Sequence, residues 1–220
     1  MGKIPEDTKF NKLNPPPVIP EFIPNWEQTM NQWGNLMKGA VSTLSEMIAI
    51  GLNLEKDTFT KMGEFGPHLL APTGSDLKVN NQLNTILAGF HYDLNFLTIH
   101  GKSRFPGLHV WARNKDKMAV KVPDGHLLVQ AGKQLEWLTG GKILAGYHEV
   151  IVNERTIEAI EKAKQNQKSL WRISSTLFYH VGSDVLLKPL IETDNSEKYP
   201  PILCGDYVQE ELSFINLKKE

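Results

Sequence analysis

GFHYD, residues 89–93, closes a short apolar run at 85–93, and a second run at 96–101 follows it almost at once. Downstream the same rhythm continues through 108–112, 118–122, 126–131, 134–138, 143–152 and 169–181. Gly-Lys, Pro-Gly, Pro-Asp-Gly, Ala-Gly-Lys and Gly-Gly punctuate the runs. Many short runs separated by turn residues predict strands of a β-sandwich or jelly roll. The expected fold is therefore mostly β with flanking α-helices.

Upstream the period changes. Trp26, Met30, Trp33, Met37, Val41, Leu44 and Ile48 recur every three or four residues, which predicts a helix with one apolar face. Asn25 and Gln28 have the spacing of a capping box, and Gly51 is a plausible stop. Residues 154–166 predict a second helix capped by Asn153, with Ile157 and Ile160 on its apolar face. A last helix is expected over 206–217. Residues 1–24 carry six of the 13 prolines, so they are expected to form an extended arm ahead of a domain at 25–220.

Composition narrows the function classes. Lys and Arg number 24 against 25 Asp and Glu, so no basic excess points to nucleic acid. No apolar stretch is long enough to span a bilayer and no signal-like start is present, which makes a cytoplasmic protein the expectation. Cys204 is the single cysteine, so no internal disulfide forms. It is expected to be buried. A local site must carry the function, with a small molecule as the expected partner and the oligomeric state open.

On a strand, His91 and Asp93 reach the same face. An imidazole and a carboxylate there, joined by a histidine from a later strand, would make a two-histidine, one-carboxylate face for a divalent metal such as Fe(II). His68, His100, His109, His126 and His180 compete for the third place, and His148, in the run 143–152, is the best candidate. The plainer reading of His-x-Asp is a hydrogen-bonded core histidine. Arg172 and Ser174 likewise share a strand face, where a guanidinium fork and a hydroxyl suit a carboxylate. Their plainer reading is a structural ion pair. If Arg172 and Ser174 face inward, Trp171 and Ile173 face outward and need cover, for which the long helix is the candidate.

The segments AGFHYDLNFLTIHG (88–101), FPGLHVWA (105–112), VKVPDGHLLVQAGKQLEWLTGG (120–141) and ILAGYHEVIV (143–152) resemble the isopenicillin N synthase-like branch of the 2-oxoglutarate/Fe(II)-dependent oxygenases. The likeness covers roughly residues 25–217. It implies a double-stranded β-helix (jelly roll), Fe(II), O2 and 2-oxoglutarate as cosubstrate. It implies His91, Asp93 and His148 as ligands, with Arg172 and Ser174 on the far carboxylate of 2-oxoglutarate. The chain departs from the family pattern in four ways. Only the short proline arm precedes the long helix; residues 154–168 lengthen the link between His148 and Arg172; and His68-Leu69-Leu70-Ala71-Pro72 lacks the family's tyrosine. Arg-x-Ser also occurs in relatives that bind the substrate's own carboxylate. Two further readings therefore stand beside the dioxygenase: an oxidase that uses no 2-oxoglutarate, and a non-catalytic jelly-roll binding module.

Overall fold

Trp26–Gly51 forms the longest element, α1, in the computed structural model, which describes residues 4–214. Met37, Val41 and Ala49 bury one face of it, with Leu44 and Ile48 partly buried beside them. Each large side chain withdrawn from water this way stabilises by about 1.5–3 kcal/mol. Asn25 precedes the helix in a left-handed conformation and makes no capping bond, so the expected capping box is absent. A short helix, α2 (Thr58–Met62), leads to the first strand.

The strands β1 (Leu69–Asp76), β2 (Ile86–Tyr92), β3 (Leu97–His100), β4 (Leu108–Trp111), β5 (Lys117–Ala119) and β6 (Leu128–Ala131) follow in order. After α3 (Lys133–Leu138) come β7 (Tyr147–Ile151), α4 (Glu154–Gln165) and β8 (Trp171–Tyr179). The two-residue strands β9 (Leu186–Leu187) and β10 (Ile202–Leu203) pair with each other, and α5 (Cys204–Phe214) ends the described chain. One sheet has the order β1-β8-β3-β6 and the other β2-β7-β4-β5. All pairings are antiparallel, as in a jelly roll.

Strand alternation sorts the first sheet into two faces. Leu97, Ile99, Leu177 and Tyr179 join the core with Met37 and Val41 of α1. Their neighbours Thr98, His100, Gln130 and Thr176 point the other way, into the space between the sheets. A second core of Leu77, Phe105, Val152, Ile160 and Leu170 lies under α4. Asn153 caps α4 as expected: its side chain accepts from Thr156 N–H at 2.9 Å.

Three further expectations need correction. Residues 134–138 form the helix α3, not a strand. Leu135 and Leu138 are buried at helical spacing, and the entering chain gives N–H bonds to Phe96, Asp93 and Asn95 carbonyls at 3.0, 2.8 and 3.1 Å. That approach needs Gly132, because a Cβ there would meet the Asn95 carbonyl oxygen at 2.0 Å. Secondly, α1 does not cover Trp171 and Ile173: they remain 48% and 55% exposed, while the helix packs over the Leu177–Tyr179 end of β8. Thirdly, the last helix starts at Cys204 rather than 206, and residues 215–217 of its expected span lie outside the described residues. Cys204 itself is buried.

The segment before α1 is tied to the domain, and Leu13 packs against the main core. Phe10 is fully buried against Gly205 of α5, and Lys9 pairs with Asp206 at 3.0 Å.

Candidate metal and cosubstrate site

His91 and His148 face each other as register partners across β2 and β7, with ring centroids 4.2 Å apart. Asp93, just beyond β2, places Oδ1 3.7 Å from His91 Nε2 and 3.9 Å from His148 Nε2. The three ligand atoms all lie within 4.8 Å of one another. The sequence-predicted residues thus converge on one point. Asp93 and His148 are buried, whereas the His91 side chain is 46% exposed, so the cluster opens on the His91 side.

Local bonds hold each group ready. His91 Nδ1 lies 2.6 Å from the Gly89 carbonyl, which fixes the proton there and leaves Nε2 free. Asp93 Oδ2 accepts from Thr98 Oγ1 at 2.7 Å, and the Asp93 carbonyl accepts from Lys133 N–H at 2.8 Å. Burial pushes His148 down to about 4, against the opposing attraction of Asp93, so it is a neutral imidazole at neutral pH. Two imidazoles and one carboxylate fit a borderline divalent metal such as Fe(II).

Arg172 and Ser174 sit on β8 of the opposite sheet, on the same face as Thr176. Ser174 Oγ donates to the Gly101 carbonyl at 2.7 Å and lies 3.3 Å from Thr176 Oγ1. Arg172 Nε makes one long bond, 3.4 Å, to the Pro106 carbonyl. Burial lowers the Arg172 pKa. A half-buried guanidinium without an acidic partner among the described residues is suited to an incoming carboxylate. His100 joins the two halves of the site. Thr98 is the register partner of Phe178, so alternation puts Arg172, Ser174 and Thr176 on the face of the sheet that carries Thr98 and His100, and the His100 ring lies 5.2 Å from that of His148. Metal cluster and arginine therefore share one lumen.

The other competing histidines lie elsewhere. His126 is exposed and bonds the Asp124 carbonyl; His109 bonds the Gly107 carbonyl. His180 is buried with Gln134 and takes no part in the cluster. No tyrosine stands in β1, as its sequence foretells. Thr73 and Ser75 there are register partners of Ser174 and Arg172. Thr98, Gln130 and the lumen-facing role of His100 were not read from the sequence. The alternation of Thr98 and His100 directly after His-x-Asp was the available signal.

Residues 65–181 match the family model described as the 2OG-Fe(II) oxygenase superfamily. The chain belongs to that superfamily. Its members use Fe(II), 2-oxoglutarate and O2. Among curated relatives, the chain is 25% identical over 205 residues to kihadalactone A synthase LFS of Citrus sinensis, covering 86% of this chain and 55% of that protein. It is 26% identical over 158 residues to a flavonol synthase/flavanone 3-hydroxylase of Eustoma exaltatum subsp. russellianum, covering 67% and 46%. The oxygenase chain thus spans about half the length of these relatives. A solved 2OG-Fe(II) oxygenase family protein of Caulobacter crescentus superposes with a TM-score of 0.80 at 25% identity, covering 97% of this chain and 68% of that one. A full-length Neurospora crassa protein, solved in complex with alpha-KG, shares the fold with a TM-score of 0.73 at 19% identity, over 91% and 61% of the two chains.

Proposed function

We propose that this protein is an Fe(II)- and 2-oxoglutarate-dependent dioxygenase that oxidises a small organic molecule, with hydroxylation as the simplest outcome. His91, Asp93 and His148 would hold the iron; Arg172 and Ser174 would hold the far carboxylate of 2-oxoglutarate. The observation that carries this reading is the convergence of three ligand atoms in the same lumen as an arginine with no acidic partner among the described residues.

Bound iron and 2-oxoglutarate supply O2 activation, with the cosubstrate decarboxylated to succinate. The chain's own groups do the holding and the shielding. His91 and Asp93 come from the end of one strand, and His148 from its neighbour, so all three occupy one side of the site. Thr98 fixes the carboxylate. The Arg172 fork offers two parallel donors that set which end of a dicarboxylate faces the metal. The exposed flank of His91 is the open side, where the organic substrate would approach.

The reading extends to the isopenicillin N synthase-like branch, on the order of the motifs, and to one oxygenase domain at 25–220 behind an arm at 1–24. A cytoplasmic location goes with it, on the single buried thiol. Among the described residues no helix is long and apolar enough to cross a membrane. The relatives' names, synthases and a hydroxylase among them, do not favour the oxidase or the non-catalytic module. The test is conversion of 2-oxoglutarate to succinate by the Fe(II)-loaded protein in air. Iron-dependent succinate, lost in Asp93→Ala, is expected; iron binding with no consumption of 2-oxoglutarate would favour the oxidase.

A further inference from the structure

We infer that α1 carries a second apolar seam, and that two copies of this chain associate through it, antiparallel, about a two-fold axis between Ala40 and Thr43. Trp33, Leu36, Ala40, Thr43, Met47 and Ile50 alternate spacings of three and four residues, the repeat of a helix-on-helix seam. At 3.6 residues per turn this line runs roughly 140° round the helix from Met37, Val41 and Ala49, which face the core. Trp33, Leu36, Met47 and Ile50 are 37%, 64%, 63% and 58% exposed. Thr43 is exposed too, and Ala40 is partly buried. Asn35, Gly39, Ser42 and Glu46 border the line on its other side, so the seam is a stripe with a polar edge.

The order of sizes along the seam selects a second copy as the occupant. Large residues stand at both ends and small ones in the middle, and the positions are symmetric about the midpoint between 41 and 42. With a second α1 laid antiparallel on the first about that point, Trp33 meets Ile50 of the other copy, Leu36 meets Met47, and Ala40 meets Thr43. The small central pair lets the helix axes approach, and the large outer pairs fill the ends. A two-fold contact requires this self-complementarity; a parallel pairing would instead set Trp33 on Trp33 and Ala40 on Ala40. Gly39, beside the small pair, leaves room for the approach: a Cβ there would meet nothing within 4 Å. The area also suits a dimer. Val18, whose carbonyl accepts from Trp26 Nε1 at 3.3 Å, and Phe22 just before the helix add apolar surface at one end, each 85% exposed. The exposed parts of these large side chains amount to roughly 400–550 Å² of apolar surface per copy. A stable interface buries about 800 Å² per partner, of which roughly 450–520 Å² is apolar.

Sedimentation equilibrium of the full chain tests the seam. The parent should be a dimer with a dissociation constant of about 1 µM or tighter, within the range for interfaces of this area. Leu36→Lys and Met47→Lys each place an unpaired charge in the seam and should weaken association by at least about 100-fold. Both positions are exposed, so circular dichroism and thermal unfolding should show each variant folded. Thr43→Arg, at the exposed centre of the seam, should dissociate the dimer in the same way and guards against a loss of fold in either. Leu36→Lys combined with Met47→Glu should re-associate at low ionic strength, because the antiparallel register sets the new charges of one copy against the opposite charges of the other. A parent that stays monomeric well above the expected dissociation constant would overturn the inference. So would a dimer that none of the three single substitutions disrupts, since its contact would lie on another surface. A double variant that remains monomeric would overturn the antiparallel register.

Discussion

Thr98→Val removes one hydroxyl and keeps the shape of the side chain, so its effect can be worked from the bonds around it. Thr98 is fully buried and donates 2.7 Å to Oδ2 of Asp93, itself 5% exposed. Its oxygen also lies 3.1 Å from Asn95 Nδ2. Asn95 keeps the Leu97 carbonyl at 2.8 Å after the change but loses the Thr98 oxygen 3.2 Å from its Oδ1, and the Asp93 carboxylate loses its closest donor. A hydrogen bond to a charged group contributes about 1.5–3 kcal/mol. For a chain of this size that lowers the thermal midpoint by roughly 3–12 °C. Urea denaturation of the metal-free protein at pH 7 should show the same loss with an unchanged slope. Because the freed carboxylate can turn away from His91 and His148, Fe(II) affinity should also fall by about 10-fold or more. A variant as stable as the parent, with the same iron affinity, would refute the idea that Thr98 holds Asp93 for the metal.

Other outcomes follow from the same site. Arg172→Ala should weaken 2-oxoglutarate binding to the anaerobic Fe(II) protein by at least two orders of magnitude, since stranding a carboxylate in a shielded site costs about 3–5 kcal/mol; iron affinity should be unchanged. Arg172→Lys should restore binding only in part, because an ammonium cannot reproduce the two-point fork, and full recovery in the same titration would count against that geometry. Asp93→Ala should bind no stoichiometric iron, as metal analysis after desalting would show. Stability should also depend on His180, whose pKa burial pushes down to about 4. The unfolded chain takes up this proton near pH 6.5 and the folded chain does not, so stability is full above 6.5 and falls as pH drops toward 4. The loss at pH 5 is about 2 kcal/mol, and urea titrations of the parent and His180→Asn at pH 7 and 5 should show the decline shrinking in the variant.

Much of this was legible in the chain, for physical reasons that differ by element. The period-two strand around Arg172 and Ser174 placed both on one face, and the helical period from Trp26 fixed α1 almost to its ends. The His91–Asp93 pairing was readable because a strand puts alternate residues together; that His148 lies opposite His91 is a matter of register, which sequence spacing does not set. Residues 134–138 were misread because a five-residue apolar run fits helix and strand equally, and backbone bonds to 93–96 decided it. β1 was not marked out because Pro72 and Gly74 read as breakers. It is an edge strand, where a missing N–H is tolerated. Trp171 and Ile173 were expected to be covered, yet cover depends on where α1 lies, and it lies farther along β8.

The most direct test of the central claim is a crystal structure of the protein grown anaerobically with Fe(II) and 2-oxoglutarate. The ion should sit at about 2.0–2.2 Å from His91 Nε2, His148 Nε2 and a carboxylate oxygen of Asp93, by analogy with histidine and carboxylate ligation in general. The far carboxylate of 2-oxoglutarate should lie on Arg172 and Ser174. An ion bound away from these three residues, or a cosubstrate turned away from Arg172, would contradict it.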